Sequence, residues 1–341
     1  MRVRITRMDG VDLGLFDFDR HNTLYYFVLN AQEQIYLRYG GRTAESPTSR
    51  LSLESLVVAL EKGLEQHRLY QQGRFEEPAR APASYPSEIE GLRESTIRRG
   101  RCVECHLIAD YRASDQERAG RLNKIETMFA SPDLETLGIY LDPSDGVLVS
   151  EVEGVAAQAG LLAGDRIVEL DGERVLTFGD LQYRYDKLPR DSRVVTFGIE
   201  RGGRSAEIDL ALPPEWWVTD LFFRYWSVEP QLYFSSDRLT ADRKASLGLD
   251  PDGFACEVRF VERRAAAFGH HDLRPGDIVF AVDGSTANAV TSSCELHLKL
   301  ETVAGTMALL RILRDGEAIE MPFRSGRQNF RKPAGRSGGA R

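Results

Sequence analysis

Between residues 23 and 40 the chain reads TLYYFVLNAQEQIYLRYG. Tyr25, Phe27 and Leu29 alternate with their neighbours, and Ile35, Leu37 and Tyr39 do the same after the polar stretch NAQEQ. A period of two puts alternate side chains on one face of a strand, so this pattern predicts a β-hairpin. From Ser52 onward the period changes, with apolar residues at Leu53, Leu56, Val57, Leu60 and Leu64. That is the spacing of an amphipathic helix, and its apolar stripe is predicted to cover one face of the hairpin. Residues 71 to 95 carry three prolines among small and charged residues and read as a linker. A helical stretch, ERAGRLNKIETMFA, comes later, and strand-like runs resume at Leu137.

Beyond that point the chain repeats itself. Residues 137 to 172 read LGIYLDPSDGVLVSEVEGVAAQAGLLAGDRIVELDG, and residues 247 to 284 read LGLDPDGFACEVRFVERRAAAFGHHDLRPGDIVFAVDG. Each copy runs from Leu-Gly through an Asp-Pro turn, a β-run and an Ala-rich helix to a Gly-Asp strand. Each then continues with a helical stretch and two β-runs joined at Gly203 or Gly316. An internal repeat of this kind predicts two copies of one folding unit.

Both copies resemble PDZ domains in their circularly permuted bacterial form. The first does so through Leu137-Gly138-Ile139-Tyr140 and AAQAGLLAGDRIVELDG, the second through RPGDIVFAVDG. The second has a less typical loop, Leu247-Gly248-Leu249, and an insertion, FGHHD, before its Gly-Asp. The resemblance implies recognition of an extended peptide by strand addition, with backbone N–H groups of the glycine loop meeting a terminal carboxylate. In the first copy the loop is Leu137, Gly138, Ile139 and Tyr140, and the groove wall is the helix after Phe178. Leu181 and Tyr185 lie one turn apart on that helix and face either the groove or the core. Between the copies, PPEWWVTDLFFRYWSVEPQLYF holds Trp216, Trp217 and Trp226. It is predicted to plug the two units together, with an exposed aromatic binding surface as the alternative.

The hairpin and helix before residue 70 resemble the carboxy-terminal half of a thioredoxin-like domain. Bacterial proteins that join such a domain to a C-x-x-C-H segment and two PDZ domains form a family, some of whose members are selenoproteins. Its members carry an export signal. The resemblance implies that a first strand and a redox-cysteine helix lie upstream of Met1. The expected location is then periplasmic or exported, and otherwise cytoplasmic. As written, residues 1 to 20 lack the apolar core of a signal peptide, being interrupted by Arg2, Arg4, Arg7, Asp9 and Asp12.

Cys102, Cys105 and His106 form the C-x-x-C-H itself, within RRGRCVECHLIADYR. Two thiols followed by a histidine are what covalent haem c attachment requires, with Met128 as a candidate second axial ligand. A redox dithiol is the second possibility, because Arg98, Arg99 and Arg101 supply charge that favours thiolate. Half of a metal site and a helix surface without chemistry stay open beside these; a zinc site lacks a second ligand pair, since His270 and His271 are adjacent and isolated. Cys256 and Cys294 stand alone in apolar contexts and read as buried thiols, with a disulfide between them as the lesser alternative.

Bulk composition narrows the field further. A chain of 341 residues with net charge −8 offers no general surface for nucleic acid. Six basic residues and no acid lie between Arg324 and Arg341, where glycine and serine suggest a solvated tail. No apolar run is long enough for a membrane span. Protease and nucleotide-binding signatures such as H-E-x-x-H and G-x-G-x-x-G do not occur. The expectation is a multidomain α+β chain. It comprises a partial thioredoxin-like domain over 1–70, a linker over 71–95 and a CxxCH-containing helical segment over 96–134. A PDZ-like, partly open β-barrel follows over 135–213, then an aromatic-rich connector over 214–240, a second PDZ-like unit over 241–326 and a flexible basic tail over 327–341. Its expected role is a non-catalytic scaffold that binds carboxy-terminal tails of proteins or peptides. The alternative is an exported redox or electron-transfer protein that uses haem c or a dithiol.

Overall fold

The computed structural model describes residues 1–78, 80–219, 224, 228–263, 265, 272–300 and 307–324. Trp226, His270, His271 and the basic tail lie outside the described residues. The chain divides into two compact units. One holds Met8–Pro86 with Phe129–Thr219; the other holds Met1–Arg7, Ser87–Met128 and the described residues from Arg224 onward.

The hairpin forms as its alternation predicts. Strands β1 (Tyr25–Leu29) and β2 (Ile35–Gly40) pair antiparallel, with Tyr26 opposite Tyr39 and Val28 opposite Leu37. Helix α1 (Leu53–Gln71) starts where predicted, capped by the Ser52 side chain, which accepts a hydrogen bond from the Ser55 N–H. Its orientation overturns the expectation. Ser55, Ala59, Gly63 and Gln66 are the buried positions, whereas Leu53, Val57, Leu60 and Leu64 are 78%, 54%, 49% and 58% exposed. The cause is close approach. A Cβ on Gly63 would stand 2.8 Å from Val28 Cγ1, and the Tyr39 hydroxyl reaches both the Ser52 carbonyl and Ser55 Oγ. Only small side chains fit there, so Leu56 alone of the predicted stripe joins the cluster around Leu37, Tyr39 and Ala59.

In the other unit, α2 (Glu90–Ser95) packs on α3 (Cys105–Arg118), followed by α4 (Lys124–Met128). The Asp115 carboxylate accepts from the Gly91 N–H at 3.0 Å, and a Cβ at Gly91 would meet the Tyr111 ring at 2.8 Å.

The first repeat comprises β3 (Ile139–Leu141), β4 (Val149–Val152), α5 (Gly154–Gln158), β5 (Arg166–Leu170), β6 (Glu173–Arg174), α6 (Phe178–Asp186), β7 (Val194–Arg201) and β8 (Arg204–Ala211). Its strands form two open sheets, β3-β4 and β6-β5-β7-β8, rather than one barrel wall. Trp216 and Trp217 are buried in the same unit, with Trp216 against Tyr185 at 4.8 Å and Trp217 against Phe129 at 5.0 Å.

The second repeat comprises β9 (Phe234–Arg238), α7 (Ala241–Ser246), β10 (Cys256–Val261), β11 (Ile278–Val282), α8 (Glu295–Lys299), β12 (Met307–Arg314) and β13 (Glu317–Arg324), in one open sheet ordered β13-β12-β11-β10-β9. Within each copy the hydrogen bonds correspond residue by residue. Val149 N–H donates to Asp165 O and Val258 N–H to Asp277 O, both at 2.8 Å. Arg201 pairs with Asp165 as Arg314 pairs with Asp277. Asp171 and Asp283 share φ +48° and accept from the N–H groups of Thr196 and Leu309. The same correspondence corrects the predicted loop of the second copy. Gly138 O accepts from Glu153 N–H at 2.9 Å, and its counterpart is Tyr233 O, which accepts from Glu262 N–H at 2.8 Å. Leu232-Tyr233-Phe234 therefore stands where Leu137-Gly138-Ile139 stands in the first copy. Leu247 and Gly248 instead end α7. The sequence repeat misled because α7 is inserted between β9 and β10, carrying a second Leu-Gly.

Candidate functional site

The site is built around the turn that precedes β3. Asp133 opens a 3₁₀ turn over Leu134–Leu137 by accepting from the Glu135 N–H, and Gly138 closes it with φ +78°. The Gly138 N–H donates to Glu135 O at 3.0 Å. A Cβ at this position would lie 2.2 Å from Glu153 O, so glycine is required both by the backbone angle and by the close approach. Leu137, Ile139 and Leu141 are buried, while Tyr140 is half-buried and donates its hydroxyl hydrogen to Glu153 Oε1 at 2.6 Å. That bond to a carboxylate pushes the tyrosine up to about 12. Among the described residues β3 pairs only with β4, and no other strand lies on its second edge.

The groove wall expected from the sequence is helix α6. Thr177 caps it by accepting from the Asp180 N–H. Leu181 and Tyr185 are both fully buried, Tyr185 beneath Trp216. The side chains of α6 that meet the segment after β2 are Phe178 and Gln182, which periodicity did not single out. Gln182 accepts from Arg42 N–H at 3.0 Å and donates from Nε2 to Arg42 O at 2.7 Å. Phe178 lies under Gly41 and beneath the Arg50 guanidinium, 4.9 Å from its ring centre. Arg50 also donates to Leu141 O at 3.0 Å and to Glu135 Oε1 at 2.7 Å. The Asp180 carboxyl is pushed up by burial, against the opposing charge of Arg38 and the Arg38 N–H that it accepts at 2.9 Å. The Gly40-Gly41 pair after an alternating strand was the one sequence signal for this contact.

In the other unit, Cys102 is exposed, Cys105 is half-buried as the first residue of α3, and His106 is exposed with Nδ1 3.6 Å from Glu104 Oε2. All four cysteines are free thiols. Burial pushes the Cys256 thiol up to about 12. No group of three or more His, Cys, Asp or Glu able to hold a metal ion occurs among the described residues. An axial histidine needs apolar enclosure, but more than half of the His106 side chain faces solvent and its ring nitrogen is directed to Glu104. As placed, the Cys102-Cys105-His106 set does not fit a haem.

Residues 147–195 match the family model for the PDZ domain. The chain is 29% identical over 196 residues to a "Probable periplasmic serine endoprotease DegP-like" of Pseudomonas putida, covering 54% of this chain and 38% of that protein. It is 25% identical over 177 residues to the protein so described in Bartonella henselae, covering 51% and 34%. Among solved structures it is similar to an HtrA-type protease AlgW with decapeptide, at 23% identity and TM-score 0.23, covering 38% of this chain and 41% of that one. The chain thus spans little more than a third of the length of these curated relatives. No helix among the described residues is long and apolar enough to cross a membrane. The first repeat contains a PDZ domain, a peptide-binding module.

Proposed function

We propose that the chain is a non-catalytic scaffold whose PDZ domain binds protein or peptide carboxy-terminal tails at the Leu137-Gly138-Ile139-Tyr140 loop. The observation that carries this reading is the unpaired edge of β3, directly after a glycine turn and beside α6, in the segment next to the PDZ match. The hydrogen-bond correspondence between Gly138 and Tyr233 supports a second PDZ-like unit after residue 228. The proteins it resembles are described as periplasmic endoproteases, which supports a role in an exported, proteolysis-related setting. The test is a screen of carboxy-terminal peptides by fluorescence anisotropy on the full chain, with Gly138→Asp as control. Peptide binding that disappears with the control supports the reading; no binding at any peptide, or binding indifferent to Gly138→Asp, overturns it.

A second reading rests on Cys102, exposed just before α3 and three residues from Cys105 at its start. In this reading the two thiols, close in sequence and with Cys102 open to solvent, act as a redox dithiol. The thioredoxin-like resemblance of the amino-terminal hairpin and α1 belongs to this reading and rests on sequence alone.

A further inference from the structure

The face of α6 toward the glycine turn already holds a segment of this chain. After β2 the backbone runs along α6. Arg38 N–H donates to the Asp180 carboxylate, and Arg38 O accepts from the Thr177 hydroxyl at the start of the helix. One turn on, Arg42 N–H and O are both taken by the Gln182 side chain. Ala44 N–H then reaches Asp133 Oδ2 at 3.4 Å, at the turn before β3. Arg50 finally bridges Phe178 of α6, Leu141 O of β3 and Glu135. The segment therefore passes from the amino end of α6 to the glycine turn, and Gly40, Gly41, Arg42 and Thr43 are all buried.

Its sequence suits this path. Gly40 and Gly41 have φ +139° and +112°, and a Cβ on Gly41 would stand 2.7 Å from both the Phe178 ring and Gln182 Oε1. A residue with a side chain there would be strained and would overlap the wall of the groove. Gln182 reads backbone rather than side chain, as a peptide groove does. No chain terminus takes part in these contacts.

We propose that Gly40–Arg50 is the resident occupant of the groove formed by α6, β3 and the Asp133–Gly138 turn, and that an external peptide binds there only by displacing it. This rests on the peptide-binding reading above. The groove then accepts an internal segment with glycine over Phe178, and its affinity for outside ligands is set by how readily its own segment leaves.

Two measurements on the full chain test it. The first is limited trypsin digestion, comparing the Arg42–Thr43 bond with the bond after exposed Arg74. In the wild type the Arg42 bond resists, and Gly41→Val or Gln182→Ala speeds its cleavage at least about tenfold with the Arg74 bond unchanged. The second is anisotropy binding of a blocked peptide copying residues 38–46 and of the best carboxy-terminal peptide. Both bind Gly41→Val at least about tenfold more tightly than wild type. Circular dichroism establishes which variants fold; Gly41→Ala, which leaves Gln182 intact, replaces Gly41→Val in the binding arm if the valine does not fold, and the wild-type digestion needs no variant. Arg42 cut as fast in wild type as in the variants overturns the occupant, while peptide binding to wild type would leave the peptide-binding reading standing. Protection at Arg42 with no peptide bound by any folded variant overturns the displacement and the peptide-binding reading together.

Discussion

Gln182 and Arg42, 140 residues apart, exchange two hydrogen bonds, the Gln182 carboxamide serving both the N–H and the carbonyl of Arg42. Both bonds are buried, so removing the carboxamide strands two backbone groups away from water. An unsatisfied buried group costs about 1–3 kcal/mol. Gln182→Ala is therefore expected to lower the unfolding free energy by about 2–4 kcal/mol. Gln182→Glu keeps an acceptor for the N–H but faces Arg42 O with a second acceptor, and should be no milder. Urea unfolding of the three proteins side by side checks the order; a loss below about 0.5 kcal/mol for Gln182→Ala would show that water replaces the amide.

Gly138 is held by its neighbour rather than by its own flexibility. With Glu153 O 2.2 Å from where a Cβ would sit, even Gly138→Ala must move the β3–β4 junction. The positive φ adds about 1–2 kcal/mol for any other residue. Gly138→Ala is expected to lose at least about 2 kcal/mol in urea unfolding. A milder loss would mean that the turn relaxes without the Gly138 O to Glu153 N–H bond.

His297 makes the second repeat acid-sensitive. Burial, then the positive charge of Lys124, lowers its imidazole from 6.5 to about 4, although the ring also meets Val228 O at 3.1 Å. Between those two values the unfolded chain binds a proton that the folded chain refuses. The stability is thus complete above pH 6.5 and is lost as pH falls toward 4, by about 3 kcal/mol over the window. His297→Gln should flatten this part of a stability-against-pH curve measured by denaturant unfolding. Parallel curves for the two proteins would refute the assignment.

Tyr140 offers an optical probe of the loop. Its hydroxyl ionises near 12 because Glu153 accepts its hydrogen and repels the phenolate. Glu153→Gln removes the repulsion, so an absorbance titration should show one tyrosine moving down toward 10. No change in the titration would mean that the two side chains part in solution.

How far the sequence reveals these features depends on which are local. The β1–β2 alternation, the Ser52 cap and the Gly138 turn follow from short-range rules and appear where expected. Helix α1 exists as predicted but faces the other way, because a close approach at Gly63 selects small residues over leucines. No periodicity rule registers that. The Leu247-Gly248 loop misled because Tyr233 takes the backbone position that glycine holds in the first copy, with φ +57°. A search for glycine passes over a tyrosine in that conformation. The contact between Arg42 and Gln182 spans 140 residues and leaves only a glycine pair as its trace.

The cysteines sort by environment in a way that thiol chemistry can read. Thiolate is the reactive form, and burial that pushes Cys256 up to about 12 leaves almost none at pH 8, while Cys102 is open to solvent. Among the four free thiols Cys102 should react with a disulfide reagent first and Cys105 more slowly. Cys256 and Cys294, both buried, should react only after denaturant is added. If Cys102 and Cys105 act as a dithiol, oxidised glutathione should convert them to a disulfide with release of two reduced glutathiones, the protein losing two hydrogens by mass. Cys102→Ser should then stop at one mixed disulfide on Cys105. A mixed disulfide that also persists on the wild type, never resolved by the second thiol, would show that the pair is too rigidly separated by the start of α3 to act together.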